Sequence, residues 1–259
     1  MPTFESFDGT TLAYEDDDGS DSSGDGTVVV LLHGFAADTN VNFVRSGVFD
    51  LLLDAGYRVV ALDARGHGLS EKPHDAAAYA DDAMRRDVQS LLDHLDLEHC
   101  LVVGYSMGAA TDLRLAMTDA RPIAVALLGA GESMADADGG SERRRGMLDA
   151  FRSSEADVDA LPPRVRAFRE MADAIRADRE ALTALLGAQW PDTATGLQDV
   201  KVPVIVITGV DDTEVGSPDV LAAQLTAAEV VRVPGDHFTA NARPELHAAL
   251  VDFLARVGK

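Results

Sequence analysis

The chain has 259 residues, 46% of them hydrophobic and 25% charged, which favours a compact fold over a disordered or low-complexity chain. Its 44 acidic residues outnumber the 22 basic ones and give a net charge of -22, which makes nucleic acid and anionic membranes poor partners. No apolar run reaches the roughly 18 residues needed to cross a bilayer, and Glu5 and Asp8 stand where a signal peptide carries positive charge, so we expect a cytoplasmic protein without a membrane partner.

Short apolar runs alternate with amphipathic stretches, which is the pattern of a mainly parallel sheet with helices on both faces. Eight runs, most of them rich in Val, Ile and Leu, are predicted as strands. They are Thr3 to Phe7, Leu12 to Glu15, Val28 to Leu32, Arg58 to Asp63, Cys100 to Tyr105, Ile123 to Leu128, Val204 to Thr208 and Glu229 to Val233. The segment Asp16 to Gly26 is predicted as a solvated hairpin loop between the second and third strands.

Amphipathic stretches between these strands are predicted as helices, several with apolar residues at three- and four-residue spacing. They are Val41 to Gly56, Ala78 to Leu97, Met107 to Asp119, Pro218 to Leu225 and Arg243 to Val257. The alternation of strand and helix therefore predicts an α/β fold.

One segment, residues 132–199, interrupts the alternation with helical patches such as Val165 to Ala188 and no convincing strand. It is predicted as a helical cap inserted into a core made of residues 1–131 and 200–259. The interval from Arg143 to Glu180 holds 9 arginines and 8 acidic residues. This local balance indicates either pairing of arginines with carboxylates on exposed helices or a basic lining for an anionic substrate.

The strongest local motif is GYSMG, residues 104–108, between a predicted strand and a predicted helix. A serine at a sharp strand-to-helix turn adopts strained dihedral angles, and a Cβ at either glycine would clash with the chain passing nearby. The start of the helix also directs free N–H groups toward the serine. Ser106 is therefore the predicted nucleophile.

A serine nucleophile needs a histidine base and a carboxylate that orients the histidine. Among seven histidines, His237 follows the last strand, which places it at the same sheet edge as Ser106. The seventh strand leads into two carboxylates, of which Asp212 is the predicted partner and Asp211 the reserve. Glu132, after the sixth strand, is a further reserve.

Two backbone N–H groups are predicted to hold the oxyanion that forms during acyl transfer. The amide of Met107 follows the nucleophile directly, and that of Phe35 lies in the glycine-containing turn after the third strand. His33 is expected to order this turn without titrating.

Together these motifs resemble the α/β-hydrolase fold superfamily, in its serine-nucleophile, esterase-like branch. The segments that carry the resemblance are HGF from residue 33, LDARGHGLS from 62, GYSMG from 104, ITGVDD from 207 and GDHF from 235. The resemblance implies an eight-stranded sheet, an inserted cap, and catalytic roles for Ser106, Asp212 and His237. It also implies that Asp63, Arg65 and His67 brace the site. Asp236, where many relatives have glycine, is expected to influence His237 electrostatically.

The resulting prediction is a serine hydrolase that cleaves small carboxylic esters or related acyl compounds through an acyl-enzyme, with no metal or organic cofactor. One alternative is a cofactor-free lyase or carbon-carbon bond hydrolase acting on a carboxylate-bearing substrate. Its pocket would be lined by cap arginines, namely Arg143 to Arg145, Arg164, Arg166, Arg169, Arg176 or Arg179. Perhydrolase or haloperoxidase side activity and a non-catalytic ligand receptor are further alternatives. Trp190 is expected either to wall the pocket or to anchor the cap, and the oligomeric state stays open.

The balance of charged residue types predicts dependence on salt. The chain has 32 Asp and 12 Glu but 19 Arg and only 3 Lys, which resembles the composition of halophilic proteins. At molar salt the Debye length falls to about 3 Å, which screens repulsion across the acidic surface. We expect a lower melting temperature by circular dichroism at about 0.1 M salt than at about 1 M. Equal melting temperatures would contradict a halophilic adaptation.

Overall fold

Eight strands form one sheet in the computed structural model, which describes residues 1–19, 26–135, 139–190 and 193–258, with only the backbone of 139–143 and 155–157. They are β1 (Thr3–Glu5), β2 (Thr11–Asp17), β3 (Val28–Leu32), β4 (Arg58–Leu62), β5 (Cys100–Tyr105), β6 (Pro122–Leu128), β7 (Val204–Gly209) and β8 (Ala228–Val233). The spatial order is β1-β2-β4-β3-β5-β6-β7-β8. The β1-β2 and β2-β4 pairs are antiparallel, and all other neighbours are parallel. The predicted mostly parallel α/β sheet is therefore confirmed.

Eight α-helices accompany the sheet in the described residues. They are α1 (Val48–Asp54), α2 (Ala83–His94), α3 (Met107–Thr118), α4 (Gly139–Arg152), α5 (Pro163–Ala174), α6 (Arg179–Gly187), α7 (Pro218–Ala222) and α8 (Pro244–Val257). Short helical turns lie at Asn40–Val44 (a π-helix), Ala76–Tyr79, Glu132–Met134, Glu155–Ala160, Leu197–Asp199 and Ala240–Ala242. None of the described helices has the length and apolar character required to pass through a membrane.

The pleat of the central strands divides the core into two layers. In β3, Val28 and Val30 face a cluster that includes Leu113 of α3, whereas Val29 and Leu31 face a cluster that includes Phe253 of α8. Successive side chains of a strand point to opposite faces, so a strand with apolar residues at every position needs helices on both sides. This explains why the parallel strands have uninterrupted apolar sequences.

Helix α7 ends three residues before its predicted end, at Ala222, and two other predicted helices differ more from the sequence pattern. The stretch Val41 to Gly56 splits into the π-helix and α1, because Gly47 between them has a left-handed φ of 84°. Helix α2 begins only at Ala83, since Asp81 and Asp82 have φ values of 51° and 63° that a helix does not allow. Apolar spacing does not reveal such breaks, which depend on single backbone angles.

The predicted hairpin from Asp16 to Gly26 is wrong. Strand β4 lies between β2 and β3, so the connection spans a neighbouring strand and does not join two paired ones. Asp16 and Asp17 themselves belong to β2. The middle of the segment, residues 20–25, lies outside the described residues.

Helices α4, α5 and α6 lie between β6 and β7 in the sequence. A positive φ of 55° at Arg176 ends α5, and the carboxylate of Asp178 then caps α6 by accepting from the Ala181 amide. An apolar cluster joins these helices to the loop after β3, with Phe35 against Phe151 at a ring separation of 5.3 Å. This packing places the helices over the carboxyl end of the sheet.

One buried carboxyl in α3 has no partner. The side chain of Asp112 is 0% exposed, and neither of its oxygens has a hydrogen-bond partner in the described parts of the chain. It lies beneath the end of β5, where a Cβ on Gly104 would come within 2.4 Å of one of those oxygens. Burial raises the pKa of this carboxyl well above its ordinary value.

This pKa shift predicts a pH-dependent stability. Between the pKa values of the unfolded and folded states the folded chain binds the extra proton, so rising pH favours unfolding by on the order of 1 kcal/mol per pH unit. Between pH 5 and 8 the free energy of unfolding, measured by chemical denaturation, should fall less steeply with rising pH in Asp112→Asn than in the wild type. Asp252→Asn, which changes an exposed carboxylate on α8, should follow the wild type. Parallel profiles for Asp112→Asn and the wild type would contradict this effect.

Candidate active site

Ser106 occupies a strained turn between β5 and α3. Its φ of 53° and ψ of -107° lie outside the regions that non-glycine residues ordinarily adopt. The turn is fixed on both sides, because the Ser106 amide donates to the Leu128 carbonyl at 2.8 Å and its own carbonyl accepts from Ala110 at 3.1 Å. Such a turn raises the serine hydroxyl above the sheet edge.

The two glycines of the GYSMG motif are required by close packing. A Cβ on Gly108 would lie 1.9 Å from the carbonyl oxygen of Leu32, and a Cβ on Gly104 would lie 2.4 Å from the Gly108 carbonyl carbon. Real Cβ atoms do not approach backbone this closely, so a side chain at either position would force the turn open. The steric reason predicted for both glycines agrees with this geometry.

The structure brings Ser106, His237 and Asp212 together. Nε2 of His237 lies 3.0 Å from Ser106 Oγ, and Nδ1 lies 2.8 Å from Asp212 Oδ2. The imidazole is 4% exposed and the carboxylate 0%. An ionised carboxylate can only accept, so Nδ1–H donates to Asp212 and Nε2 accepts from the serine hydroxyl. This is the orientation that a general base requires.

The loop that carries His237 is held from two sides. The Tyr105 hydroxyl donates to the His237 carbonyl at 2.8 Å, which ties the base to the residue before the nucleophile. At the end of β7, a Cβ on Gly209 would lie 2.2 Å from the carbonyl oxygen of Gly235, so the two segments nearly touch. The exposed carboxylate of Asp236 accepts from the hydroxyl of Thr239 at 2.6 Å, which lowers the pKa of that carboxyl.

The two reserve carboxylates lie elsewhere. Asp211 is exposed, whereas the side chain of Asp212 is buried and also accepts from the Glu214 amide at 2.8 Å. Glu132 directs one oxygen toward the amide of Ser217, 3.5 Å away. Of the predicted candidates, only Asp212 contacts the imidazole in the described structure.

The two predicted oxyanion donors border the serine. Met107 begins α3, and the loop that carries Phe35 approaches so closely that a Cβ on Gly34 would lie 3.4 Å from the Ser106 Cβ. Within the described ranges neither amide, Phe35 or Met107, donates to another residue. Both amides are therefore free to bind a ligand oxygen.

Two buried histidines brace the loops around the site. Nε2 of His33 accepts from the Ala64 amide at 3.0 Å, and Nε2 of His67 accepts from the Ala36 amide at 3.2 Å. An amide always donates, so each ring carries its proton on Nδ1, which in His67 donates to the Arg65 carbonyl. Burial and the neighbouring His33 lower the pKa of His67 to about 3.

Asp63 and Arg65 hold the same loops through ionic hydrogen bonds. The two oxygens of Asp63 accept from the amides of Thr39 at 2.9 Å and Leu69 at 2.8 Å. Arg65 is fully buried and pairs with Asp87. Asp63, Arg65 and His67 thus have structural contacts, in agreement with the bracing predicted for them.

A cavity of about 210 Å³ opens at Ser106 and His237. Its apolar wall includes Phe168 and Met171 of α5, and Arg45, next to the π-helix, is the one arginine among the described lining residues. None of the cap arginines predicted to line the substrate pocket lines this cavity among the side chains that the structure describes, and the side chain of Arg143 lies outside them.

Two residues of the predicted cap have structural contacts instead. Arg169 is fully buried and pairs with Asp173 at 2.8 Å, and its guanidinium also donates to the Ala150 carbonyl. Trp190 donates to the Leu185 carbonyl at 2.8 Å and lines a separate cavity of about 30 Å³. The second of the two roles considered for Trp190, as an anchor, fits these contacts.

Sequence reasoning missed three residues at the site. Asn42 accepts from the Gly34 amide at 2.7 Å and through its carbonyl from Asn241 at 3.1 Å, which links the loop after β3 to the loop after β8. Arg45 and Glu214 were missed as well. Asn42 lies in the π-helix, Arg45 directly follows it, and Glu214 lies in the loop after β7. The apolar spacing that predicts a helix from Val41 does not show that its polar side chains point toward the site.

No cluster of three or more His, Cys, Asp or Glu side chains is arranged to hold a metal ion within the described ranges. The single cysteine, Cys100, is buried in the core, and burial raises the pKa of its thiol to about 12. Ser106 and His237 line the cavity, and Asp212 contacts the imidazole from behind.

Comparisons with known proteins agree with this architecture. A family model described as alpha/beta hydrolase fold matches residues 27–139. The AB hydrolase superfamily protein YfhM of Bacillus subtilis is 38% identical over 94 residues, which are 36% of this chain and 32% of that protein. The sn-1-specific diacylglycerol lipase ABHD11 of Mus musculus is 41% identical over 98 residues, 36% of this chain and 30% of that protein. The matches thus span about a third of each relative.

A solved structure extends the likeness to the whole fold. The esterase EaEST from Exiguobacterium antarcticum superposes with a TM-score of 0.77 at 20% identity and covers 98% of both chains. At this identity the likeness concerns the fold. The chain therefore has the α/β-hydrolase fold.

Proposed function

We propose that the protein is a serine hydrolase that cleaves small carboxylic esters or related acyl compounds through an acyl-enzyme. The observation that carries the proposal is the continuous hydrogen-bonded chain from Ser106 Oγ to His237 at 3.0 Å and on to Asp212 at 2.8 Å. The esterase and lipase named among the similar proteins support the same class of reaction. Function does not follow from fold alone, so the geometry of the site is the main support.

In the first half of the reaction, Ser106 Oγ attacks the ester carbonyl carbon while its proton passes to His237 Nε2. The carbonyl oxygen becomes an oxyanion, which the amides of Phe35 and Met107 are positioned to hold; each such donor contributes about 3 to 4 kcal/mol to transition-state stabilisation. Asp212 stabilises the imidazolium. When the tetrahedral intermediate collapses, His237 returns the proton to the alkoxide oxygen and the alcohol leaves.

In the second half, water attacks the acyl carbon of the Ser106 ester and gives one proton to His237 Nε2. The second tetrahedral intermediate collapses, the bond to Ser106 Oγ breaks, and the proton on His237 restores the serine hydroxyl. The carboxylic acid then leaves. Every proton that leaves Ser106 or water thus passes through one nitrogen, and the turn that holds His237 does not need to move.

The cavity and the helices above it support a small substrate. Its volume of about 210 Å³ lies below the ~300 to 1,000 Å³ usual for sites that take drug-sized ligands. Phe168 lies 5.9 Å from the imidazole, measured between ring centres, so α5 borders the reacting centre directly. We propose that residues 132–199 form the cap that limits substrate size.

Two alternatives lead to different observations. A lyase or carbon-carbon bond hydrolase with a pocket lined by cap arginines lacks support, because the described cap arginines lie outside the cavity lining. A non-catalytic receptor on the same fold would bind a ligand without turning over esters. Labelling by a fluorophosphonate, which reacts with an activated serine, separates that receptor from an enzyme.

Loss of the nucleophile is expected to abolish turnover. In molar salt, Ser106→Ala should lower the kcat for p-nitrophenyl acetate or butyrate by about 10⁴- to 10⁶-fold and should prevent fluorophosphonate labelling. Ser90→Ala is a suitable control, because that hydroxyl donates to a carbonyl within α2, away from the cavity. Turnover that survives in Ser106→Ala would disprove the proposal.

The neighbouring aspartates provide a matched pair of variants. Asp212→Asn should lower kcat by about 10⁴-fold, because an amide that donates to Nδ1 favours the wrong tautomer of His237. Asp211→Asn changes an exposed residue with the same chemistry and should retain the wild-type rate. Steady-state kinetics on both variants tests the assignment, and the reverse order of activities would assign the role to Asp211.

A further inference from the structure

The cavity at Ser106 differs in charge from the chain as a whole. Acidic residues outnumber basic ones by 44 to 22 in the sequence. Among the described residues that line this cavity there is no Asp or Glu, and there is one arginine, Arg45. Carboxylates in the lining would repel an anionic substrate, so their exclusion favours the binding of one.

Arg45 is fixed at the cavity by its backbone. Its amide donates to the Asn40 carbonyl at 2.9 Å and closes the π-helix Asn40–Val44, a kind of turn that is frequent at functional sites. Its side chain is exposed and forms no ion pair with a carboxylate in the described parts of the chain. Arg164 and Arg169 of the predicted cap, in contrast, each pair with a carboxylate.

We propose that the site acts on small esters that carry a carboxylate, and that Arg45 binds this carboxylate and so determines specificity. The proposal rests on the ester hydrolysis proposed above. A guanidinium can hold a carboxylate through two parallel hydrogen bonds, which gives orientation as well as affinity. The apolar side chains of Phe168 and Met171 would contact the hydrocarbon between the ester and the carboxylate.

Other charges near the site oppose an anion, and Arg45 offsets them. The carboxylate of Asp212 is buried behind His237, and Asp236 is exposed in the next loop. The net charge of -22 adds a long-range repulsion that molar salt screens, because the Debye length is then about 3 Å. A direct contact with Arg45 persists under these conditions, so its contribution is measured best at high salt.

The test compares esters that differ only in one terminal group. Methyl pentanoate and monomethyl glutarate share a five-carbon acyl chain, and butyl acetate and 4-acetoxybutanoate share a four-carbon alcohol; the second of each pair ends in a carboxylate. Hydrolysis is followed by pH-stat titration in molar salt. In at least one pair, Arg45→Gln should lower the ratio of kcat/KM for the anionic ester to kcat/KM for the neutral ester by about tenfold or more. For Arg45→Lys, this ratio should lie between that of the wild type and that of Arg45→Gln.

Arg256→Gln is the matched control, since it removes the same charge from a surface pair with Glu229 and should not alter the ratio of anionic to neutral turnover. An equal ratio in Arg45→Gln and the wild type for both pairs would overturn the role of Arg45, while ester hydrolysis itself would stand.

Binding without turnover separates this inference from the proposed function. Calorimetric titration of glutarate into Ser106→Ala should show binding that Arg45→Gln in the same background weakens by about tenfold. If the wild type cleaves no ester, the hydrolase proposal fails, yet this titration still tests Arg45. The carboxylate site would be overturned if glutarate did not bind Ser106→Ala, or if it bound Ser106→Ala and the double variant with Arg45→Gln equally well.

Discussion

The arrangement of the site depends on one close approach of backbone to backbone. Gly108 in the first turn of α3 lies against the Leu32 carbonyl at the end of β3, where a Cβ would come within 1.9 Å of the oxygen. Strained dihedral angles such as those of Ser106 cost on the order of 1 to 3 kcal/mol and persist only when the surroundings fix them. The contact fixes them by locking β3, β5 and α3 together, so the hydroxyl and the amides of Phe35 and Met107 keep their relative positions.

The second half of the site is attached to this unit by specific hydrogen bonds as well as by the sheet. Tyr105 donates to the His237 carbonyl, so the strand that presents the nucleophile also positions the base. Asp212 is oriented by the Glu214 amide, and the Glu214 carboxylate pairs with Arg164 of α5 at 2.6 Å. The orientation of the Asp212 carboxylate is therefore linked to the packing of α5, the same helix that borders the cavity.

The sheet, the serine turn and the order of Ser106, Asp212 and His237 could be predicted because each follows from local sequence. Apolar runs mark strands, and glycines mark the turn that sterics require. The break at Gly47, the position of β4 between β2 and β3, and the placement of Arg45 at the cavity could not. These features depend on single backbone angles and on long-range packing, and neither leaves a periodic pattern in the sequence.

The environment of each histidine explains why His237, and neither of the other two buried histidines close to the site, is suited to act as the base. Both His33 and His67 are buried close to the site, but each accepts a backbone N–H at Nε2, so neither has a free lone pair for a substrate or serine proton. His237 has side-chain partners instead, a carboxylate at Nδ1 and a hydroxyl at Nε2. The hydroxyl can give up its proton, whereas a peptide amide cannot. Three imidazoles in one neighbourhood can thus serve two purposes, set by whether Nε2 faces a peptide amide or a serine.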